Sequence, residues 1–289
     1  MSYFDAIIQG IIQGLTEFLP VSSSGHLSLY QHFTGNSGEA GGTFAIMLHF
    51  GTLLAVFIVF REVIIDMIIE FFKMLGDIFK GKFDWKNMNG VRRMILLMIL
   101  SLVPLWAFFF IRNFYNSLAE DEDIVVEGLC FLLTAALLFL SGKCVKSKGK
   151  NASNMSWKDA LAVGITQGIA PLPGLSRSGS TISVGLIMGL SREYSVAFSF
   201  IMGMPVVLAA NILEIPDIIK ADAFVLSDIG PALVGMLVAL AVGIAAIKAV
   251  QYLVKNDKFH YFGCYLTVIG IITVGIGIFE HITGNLVTF

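Results

Sequence analysis

Two stretches decide how this chain is read: Ala6 to Leu27, AIIQGIIQGLTEFLPVSSSGHL, and Ala160 to Thr181, ALAVGITQGIAPLPGLSRSGST. Each starts as an apolar helix and then breaks into Pro, Ser and Gly. An offset of 154 pairs Gly10 with Gly164, Ile11 with Ile165, Gln13 with Gln167 and Gly14 with Gly168. The same offset pairs Ser22 with Ser176, Ser24 with Ser178 and Gly25 with Gly179. So ordered a run marks an internal repeat. A single proline kink in an ordinary span requires neither the run Ser22-Ser23-Ser24-Gly25-His26 nor the hydroxyls from Ser176 to Thr181. Non-helical backbone at membrane depth is tolerated where it is buried in protein or lines a wet cavity. Both stretches, 6–32 and 160–190, are therefore read as re-entrant.

The rest of the chain supplies the membrane. Of 289 residues, 56% are hydrophobic and 14% charged, with mean hydropathy +0.81. Soluble domains carry about a quarter charged residues, so this composition excludes one. Apolar runs long enough to cross a hydrocarbon core of about 30 Å predict spans at about 43–61, 93–113 and 124–142, then 193–215, 228–253 and 260–281. The expected fold is an all-α polytopic membrane protein. It has six transmembrane helices plus two re-entrant helix-loop-helix segments in an inverted-topology repeat. One membrane domain, 1–289, holds a first half at 1–142 and a second at 159–289. The N-terminus carries Asp5 and Glu17 in place of a basic start and is expected to be retained. Cys130, Cys144 and Cys264 lack metal-ligand spacing and read as packing residues. Nothing points to nucleic acid.

Loop charge sets the orientation. Cationic loops stay cytoplasmic, and sixteen of the nineteen Lys and Arg residues fall on one side. Arg61, Lys73, Lys80, Lys82, Lys86, Arg92 and Arg93 follow the first span. Lys143, Lys146, Lys148, Lys150 and Lys158 follow the third, and Arg192, Lys248, Lys255 and Lys258 flank later turns. The loop after the second span is acidic, with Glu120, Asp121, Glu122 and Asp123; Arg112 and Lys220 lie on that outer side. Three spans separate the two repeat copies, so the copies run in opposite directions. The first enters from outside and the second from the cytoplasm, with their breaks meeting near the midplane. Charges recurring through 62–80 among Ile, Met and Phe predict an amphipathic interfacial helix.

The second break is built for an oxyanion. Pro173 to Thr181 surrounds Arg177 with Gly174, Ser176, Ser178, Gly179, Ser180 and Thr181, and a helix follows. Glycines admit close backbone approach, and a helix N-terminus favours anions. Arginine's planar fork matches phosphate oxygens in pairs. A cation at this depth costs at least about 2.5–3.5 kcal/mol unless offset; a bound phosphate would offset it. An ion pair with Glu17 would too, but it explains neither hydroxyls nor glycines. Ser180 stands where a nucleotide P-loop needs Lys, which excludes that motif. The first break adds Glu17, Ser22, Ser23, Ser24 and His26, the acid, hydroxyls and imidazole of phosphoryl transfer. His49 is a more distant candidate.

These two motifs resemble those of the bacterial undecaprenyl-diphosphate phosphatase family, also called bacitracin-resistance proteins. The resemblance covers nearly the whole chain and rests on Glu-Phe-x-Pro-Val-Ser-Ser-x-Gly-His at 17–26 and Pro-Gly-x-Ser-Arg-Ser-x-x-Thr at 173–181. Ala197-Phe198-Ser199-Phe200 and Pro205 also fit the family's fourth span. Its acidic motif is Glu or Gln, three residues, then Glu; here it is Gln13 and Glu17. The resemblance implies hydrolysis of undecaprenyl diphosphate to the monophosphate and inorganic phosphate. That reaction recycles a cell-wall lipid carrier at the outer face of the bacterial cytoplasmic membrane and confers bacitracin resistance. Ser22, Ser24, Gly174, Ser176, Ser178, Gly179, Thr181 and Gln13 are the expected phosphate-binding residues, and Arg177 is an expected catalytic residue that holds the phosphates and stabilises charge on the transferring group. Ser23 is the expected nucleophile with His26 as base and Glu17 orienting it; His26 as nucleophile is the alternative. Mg²⁺ and Ca²⁺ are both open as cofactors, with Glu17 the metal ligand if one is used. The expected partners are the polyprenyl diphosphate and membrane lipids, and a homodimer is left open.

Two other protein classes share parts of this pattern. The unrelated type-two phosphatidic acid phosphatases share Ser-Gly-His and Ser-Arg motifs, but their further His and Asp are Ser183 and Ile187 here. A flippase for an anionic polyprenyl phosphate would use the same phosphate-binding site, yet needs no nucleophile.

Overall fold

The computed structural model describes residues 1–34, 42–85, 87–110, 123–144, 149–220 and 229–287. Lys86, Arg112, Glu120, Asp121, Glu122, Lys146 and Lys148, used above to assign sidedness, lie outside the described residues, as does the side chain of Lys220. The described regular structure is helical apart from one isolated bridge between Lys150 and Leu190.

Each re-entrant stretch is a pair of short helices around a break. The first pair is α1 (Tyr3–Thr16) and α2 (Ser23–Thr34); the second is α8 (Trp157–Ile169) and α9 (Arg177–Ile187). The longest, α1, has 14 residues and thus rises about 21 Å, short of a hydrocarbon core of about 30 Å. Their starts are fixed by local chemistry. Ser2 accepts from the Asp5 N–H at 3.1 Å, and Ser156 with Asp159 forms a reciprocal capping box at α8.

The remaining helices include the spans. They are α3 (Gly42–Val59), α4 (Arg61–Phe79), α5 (Gly90–Leu102), α6 (Leu105–Phe109) and α7 (Val125–Cys144), then α10 (Arg192–Lys220), α11 (Ile229–Lys255) and α12 (His260–Thr283). Five stretches are long and apolar enough to cross a bilayer, and a sixth is counted if α3 and α4, bent by 85°, form one unit. The chain is a multi-pass membrane protein. The span expected at 93–113 is interrupted at Pro104, which cannot donate to the ladder and separates α5 from α6. The expected interfacial helix is α4, whose Ile65, Ile68 and Phe72 are exposed. Glu70 of α4 ties it to α5 through Arg92 at 2.8 Å and also takes Lys73 and Asn89. These hydrogen bonds, Arg92's first, hold its carboxyl down at about 2.

Packing follows a crossed pattern. Helix α1 lies against α11, α8 lies against α5, and α7 lies against α12. The paired glycines explain the first two contacts. A Cβ on Gly10 would stand 2.7 Å from the Gly235 carbonyl oxygen, and one on Gly164 would stand 2.0 Å from that of Ser101. Gly14 meets Ala239 at 2.8 Å, and Gly168 meets the Phe108 ring at 2.1 Å. Equivalent residues thus do equivalent work in the two stretches. Between the two breaks, Phe18 packs edge-on against Phe200 with ring centroids 5.4 Å apart, and Phe131 is fully buried.

Candidate active site

The breaks at 17–22 and 170–176 face one another across a cavity of about 200 Å³. Glu17, Ser22, Ser23 and Ser24 line it from the first, and Ser176, Arg177 and Ser178 from the second. This is the arrangement the repeat predicts, with hydroxyls from both copies around a single guanidinium.

Helix ends place these groups. Arg177 is the first residue of α9, and Ser176 caps that helix by accepting the Gly179 N–H at 3.0 Å. The Ser176 N–H is itself held by the Thr134 hydroxyl at 3.1 Å. The cavity therefore meets a helix N-terminus, where partial positive charge favours an anion. On the other side Ser22 adopts φ +74°, a left-handed conformation costing a non-glycine residue roughly 1–2 kcal/mol. Its hydroxyl accepts the Gly25 N–H at 3.2 Å and bonds the Ser24 hydroxyl at 3.2 Å. Strain of this kind, held by surrounding bonds, concentrates at functional sites.

Glu17 joins the two halves. One carboxylate oxygen takes the Arg177 guanidinium. The other accepts from the Ser23 hydroxyl at 2.9 Å and from the Gln13 amide at 3.1 Å. His49 is near enough to interact electrostatically with this carboxylate.

Several expected roles change. His26 does not reach Ser23. Its Nδ1 contacts the Ser22 carbonyl at 2.8 Å, its Nε2 contacts the Tyr265 hydroxyl at 2.7 Å, and its ring stacks on Tyr265. The helical turn starting at Ser23 carries residue 26 round to another face, so the side chain in contact with the Ser23 hydroxyl is the Glu17 carboxylate. Gln13, Gly174, Gly179 and Thr181 do not line the cavity. Gln13 supports Glu17 from one turn below. Gly174, at φ +80°, packs on the Glu127 backbone, where a Cβ would come within 2.5 Å. The Gly179 N–H is used in the cap, and the Thr181 hydroxyl binds the Arg177 carbonyl at 2.8 Å and Ser199 at 2.5 Å. These four stand behind the lining residues.

Other residues were missed by the sequence reading. Tyr265 holds His26, and Gly203 leaves the space that Arg177 fills, since a Cβ there would meet the guanidinium. Glu127, buried in α7, accepts from Ser28 at 2.9 Å. A carboxylate inside an apolar span was itself a signal; for Tyr265 and Gly203 no local signal exists. Among the described residues no cluster of three or more His, Cys, Asp or Glu is arranged to hold a metal ion.

The family described as Bacitracin resistance protein BacA matches residues 6–272, nearly the whole chain. The chain belongs to this family. The undecaprenyl-diphosphatase of Alkaliphilus metalliredigens is 37% identical over 281 residues, covering 95% of this chain and 98% of the relative. The undecaprenyl-diphosphatase of Parabacteroides distasonis is 35% identical over 280 residues, with the same coverage of 95% and 98%. That of Methanosphaera stadtmanae is 36% identical over 284 residues, again covering 95% and 98%. Both breaks, and so every group lining the cavity, lie inside the bacitracin resistance protein match.

Proposed function

We propose that this chain hydrolyses undecaprenyl diphosphate to undecaprenyl phosphate and inorganic phosphate, and thereby confers bacitracin resistance. The carrying observation is the chain of contacts Ser23–Glu17–Arg177 across a cavity walled by both breaks. The relatives are named diphosphatases, which supports a hydrolase rather than a carrier.

In this reading the terminal phosphate lies among Arg177, Ser22, Ser24, Ser176 and Ser178, whose donors meet charge as it develops on the transferring oxygens. The Ser23 oxygen attacks the terminal phosphorus while Glu17 accepts its proton, as their 2.9 Å contact allows. The bond to the bridging oxygen breaks, and undecaprenyl phosphate leaves. Water then attacks the phosphoserine, restoring Ser23 and releasing inorganic phosphate. Glu17 is the carboxylate nearest any Mg²⁺ or Ca²⁺ that accompanied the substrate, but its oxygens are engaged by Arg177, Ser23 and Gln13, so these residues do not make a metal site and no step passes through one. His26, held by Tyr265, shapes the rim of the first break. Every group named comes from one chain, so a homodimer would carry two independent sites.

The same reading places the protein in the bacterial cytoplasmic membrane with its site opening to the outer face, supported by the one-sided distribution of Lys and Arg. It also takes 1–142 and 159–289 as oppositely oriented halves, supported by the matched packing of Gly10 with Gly164 and of Gly14 with Gly168. Phosphate release from undecaprenyl diphosphate by purified protein, compared with Ser23→Ala and Arg177→Ala, tests the function. Loss in both variants is expected; undiminished release by both would sink the assignment.

A further inference from the structure

A second cavity lies away from the proposed chemistry, at the elbow where α3 gives way to α4 across Phe60. The two helices meet at 85°, and with α11 they enclose about 300 Å³. That size is at the lower end of small-ligand pockets, roughly 300–1,000 Å³. Ile58, Val63 and Ile244 form its apolar wall, and Arg61, Lys248 and Glu62 its polar rim.

The two cations have no hydrogen bond or ion pair among the described residues. Several other basic side chains on this side have carboxylate partners: Arg92 with Glu70 and Asp77, Lys150 with Asp159, Arg192 with Asp257. Arg61 and Lys248 are opposed by Glu62 alone, which leaves the rim positive. Phe60 offers α4 no side-chain cap, so the first-turn N–H groups beside Arg61 also await an acceptor. The depth is set by α4 itself. Its Ile65, Ile68, Ile69 and Phe72 are exposed, as expected of a helix lying in the interface with its apolar face toward acyl chains. The elbow is therefore at headgroup level, with lipid tails on one flank and water on the other.

We propose that this cavity binds an anionic glycerophospholipid of the phosphatidylglycerol class. Its headgroup phosphate lies between Arg61 and Lys248, and its acyl chains run along Ile58, Val63 and Ile244. A phosphate answers the unmatched cations, and the apolar wall requires a ligand that carries tails. A zwitterionic headgroup would bring its own cation against the positive rim. The bound lipid would brace the bend between α3 and α4. The proposal is independent of the hydrolytic reading, since no residue of this rim lines the Glu17 cavity.

Full-length protein in phosphatidylcholine nanodiscs doped with phosphatidylglycerol gives the test, with retained lipids counted by native mass spectrometry. The wild type should retain phosphatidylglycerol over phosphatidylcholine, and Arg61→Gln with Lys248→Gln should lower that retention at least about fivefold. Lys255→Gln with Lys258→Gln, a control of equal charge change, should leave it intact, and millimolar inorganic phosphate should not displace the lipid. Equal retention of both lipids would overturn the proposal. So would unchanged retention in the Arg61 and Lys248 variant, or displacement by inorganic phosphate, which would mark a small-anion site. If that variant does not fold, Glu62→Gln decides: retention should tighten, and no change overturns the proposal.

Discussion

Gly203 of α10 lies directly beneath Arg177, so that a Cβ added at Gly203 would overlap the guanidinium, 1.6 Å from Nη1. With no side chain at position 203, the guanidinium occupies that space while it reaches Glu17. Gly203→Ala must push Arg177 aside while leaving the charge in place. Phosphate release should fall by about 10²-fold or more, since small misplacements of catalytic groups cost about that much. The variant should remain folded by size exclusion. Activity near wild type would mean that Arg177 need not occupy its observed position.

Arg177→Ala removes both the phosphate fork and the partner of a buried carboxylate. Arginine stabilisation of phosphoryl transfer is worth about 10³–10⁵ in rate, so turnover should nearly vanish, and Arg177→Lys should restore little of it. Stability should fall as well, because an unpaired buried charge costs about 3–5 kcal/mol. Combining Arg177→Met with Glu17→Gln should recover melting temperature without recovering activity. Recovery of both would show the pair to be structural.

Ser23 and His26 should now separate. Ser23→Ala removes the hydroxyl that contacts Glu17, and hydrolysis should be lost. Tyr265→Phe removes one bond to His26, worth about 0.5–1.5 kcal/mol, and should lower activity only a few-fold, as should His26→Gln. A larger loss in the His26 variant than in Ser23→Ala, measured by phosphate release, would return the imidazole to the reacting centre.

The crossed glycines predict paired stability effects. Gly164→Ala forces a methyl to within 2.0 Å of the Ser101 carbonyl oxygen, and Gly10→Ala to within 2.7 Å of that of Gly235. Both should lower the melting temperature in detergent, by about 1–3 kcal/mol of overpacking. Gly275, with nothing within 4 Å of its would-be Cβ, is the control. A neutral Gly164→Ala would contradict the α5–α8 contact.

Glu70 gives a pH dependence outside the spans. Hydrogen bonds from Arg92, Lys73 and Asn89 hold its carboxyl at about 2, below the ordinary 4.5. A depressed carboxyl stabilises the fold fully above its unfolded value. That contribution is lost as pH falls from 4.5 through about 2. The melting-temperature difference between wild type and Glu70→Gln should hold constant from neutral pH to about 5 and shrink below it. A difference that grows with acidification would refute the assignment.

Much of this was legible in the chain itself. Long apolar runs separated by lysines specify spans almost regardless of tertiary detail, and the shared Gly-x-x-Gln-Gly pattern foretold two matching helices in Gly10 to Gly14 and Gly164 to Gly168. The convergence of Ser22 to Ser24 with Ser176 to Ser178 followed from the same repeat. The pairing inside the site did not. Ser23 lies six residues from Glu17 across a non-helical break, and spacing says nothing about which way such a break turns; the left-handed Ser22 decides it. The stretch across Pro104 still counts as one apolar span, Gly90–Phe108, and what spacing does not show is that the proline breaks its helix in two. Tyr265 and Gly203 act from helices far along the chain, and their roles exist only once those helices are packed.

The most direct test of the account is to quench the enzyme during turnover of undecaprenyl diphosphate and locate any phosphorylated residue by mass spectrometry. A phosphoryl group should be found on Ser23 and should accumulate when the hydrolytic half of the reaction is slowed. Phosphate on His26, or on no residue while inorganic phosphate is released in the same quench, would contradict it.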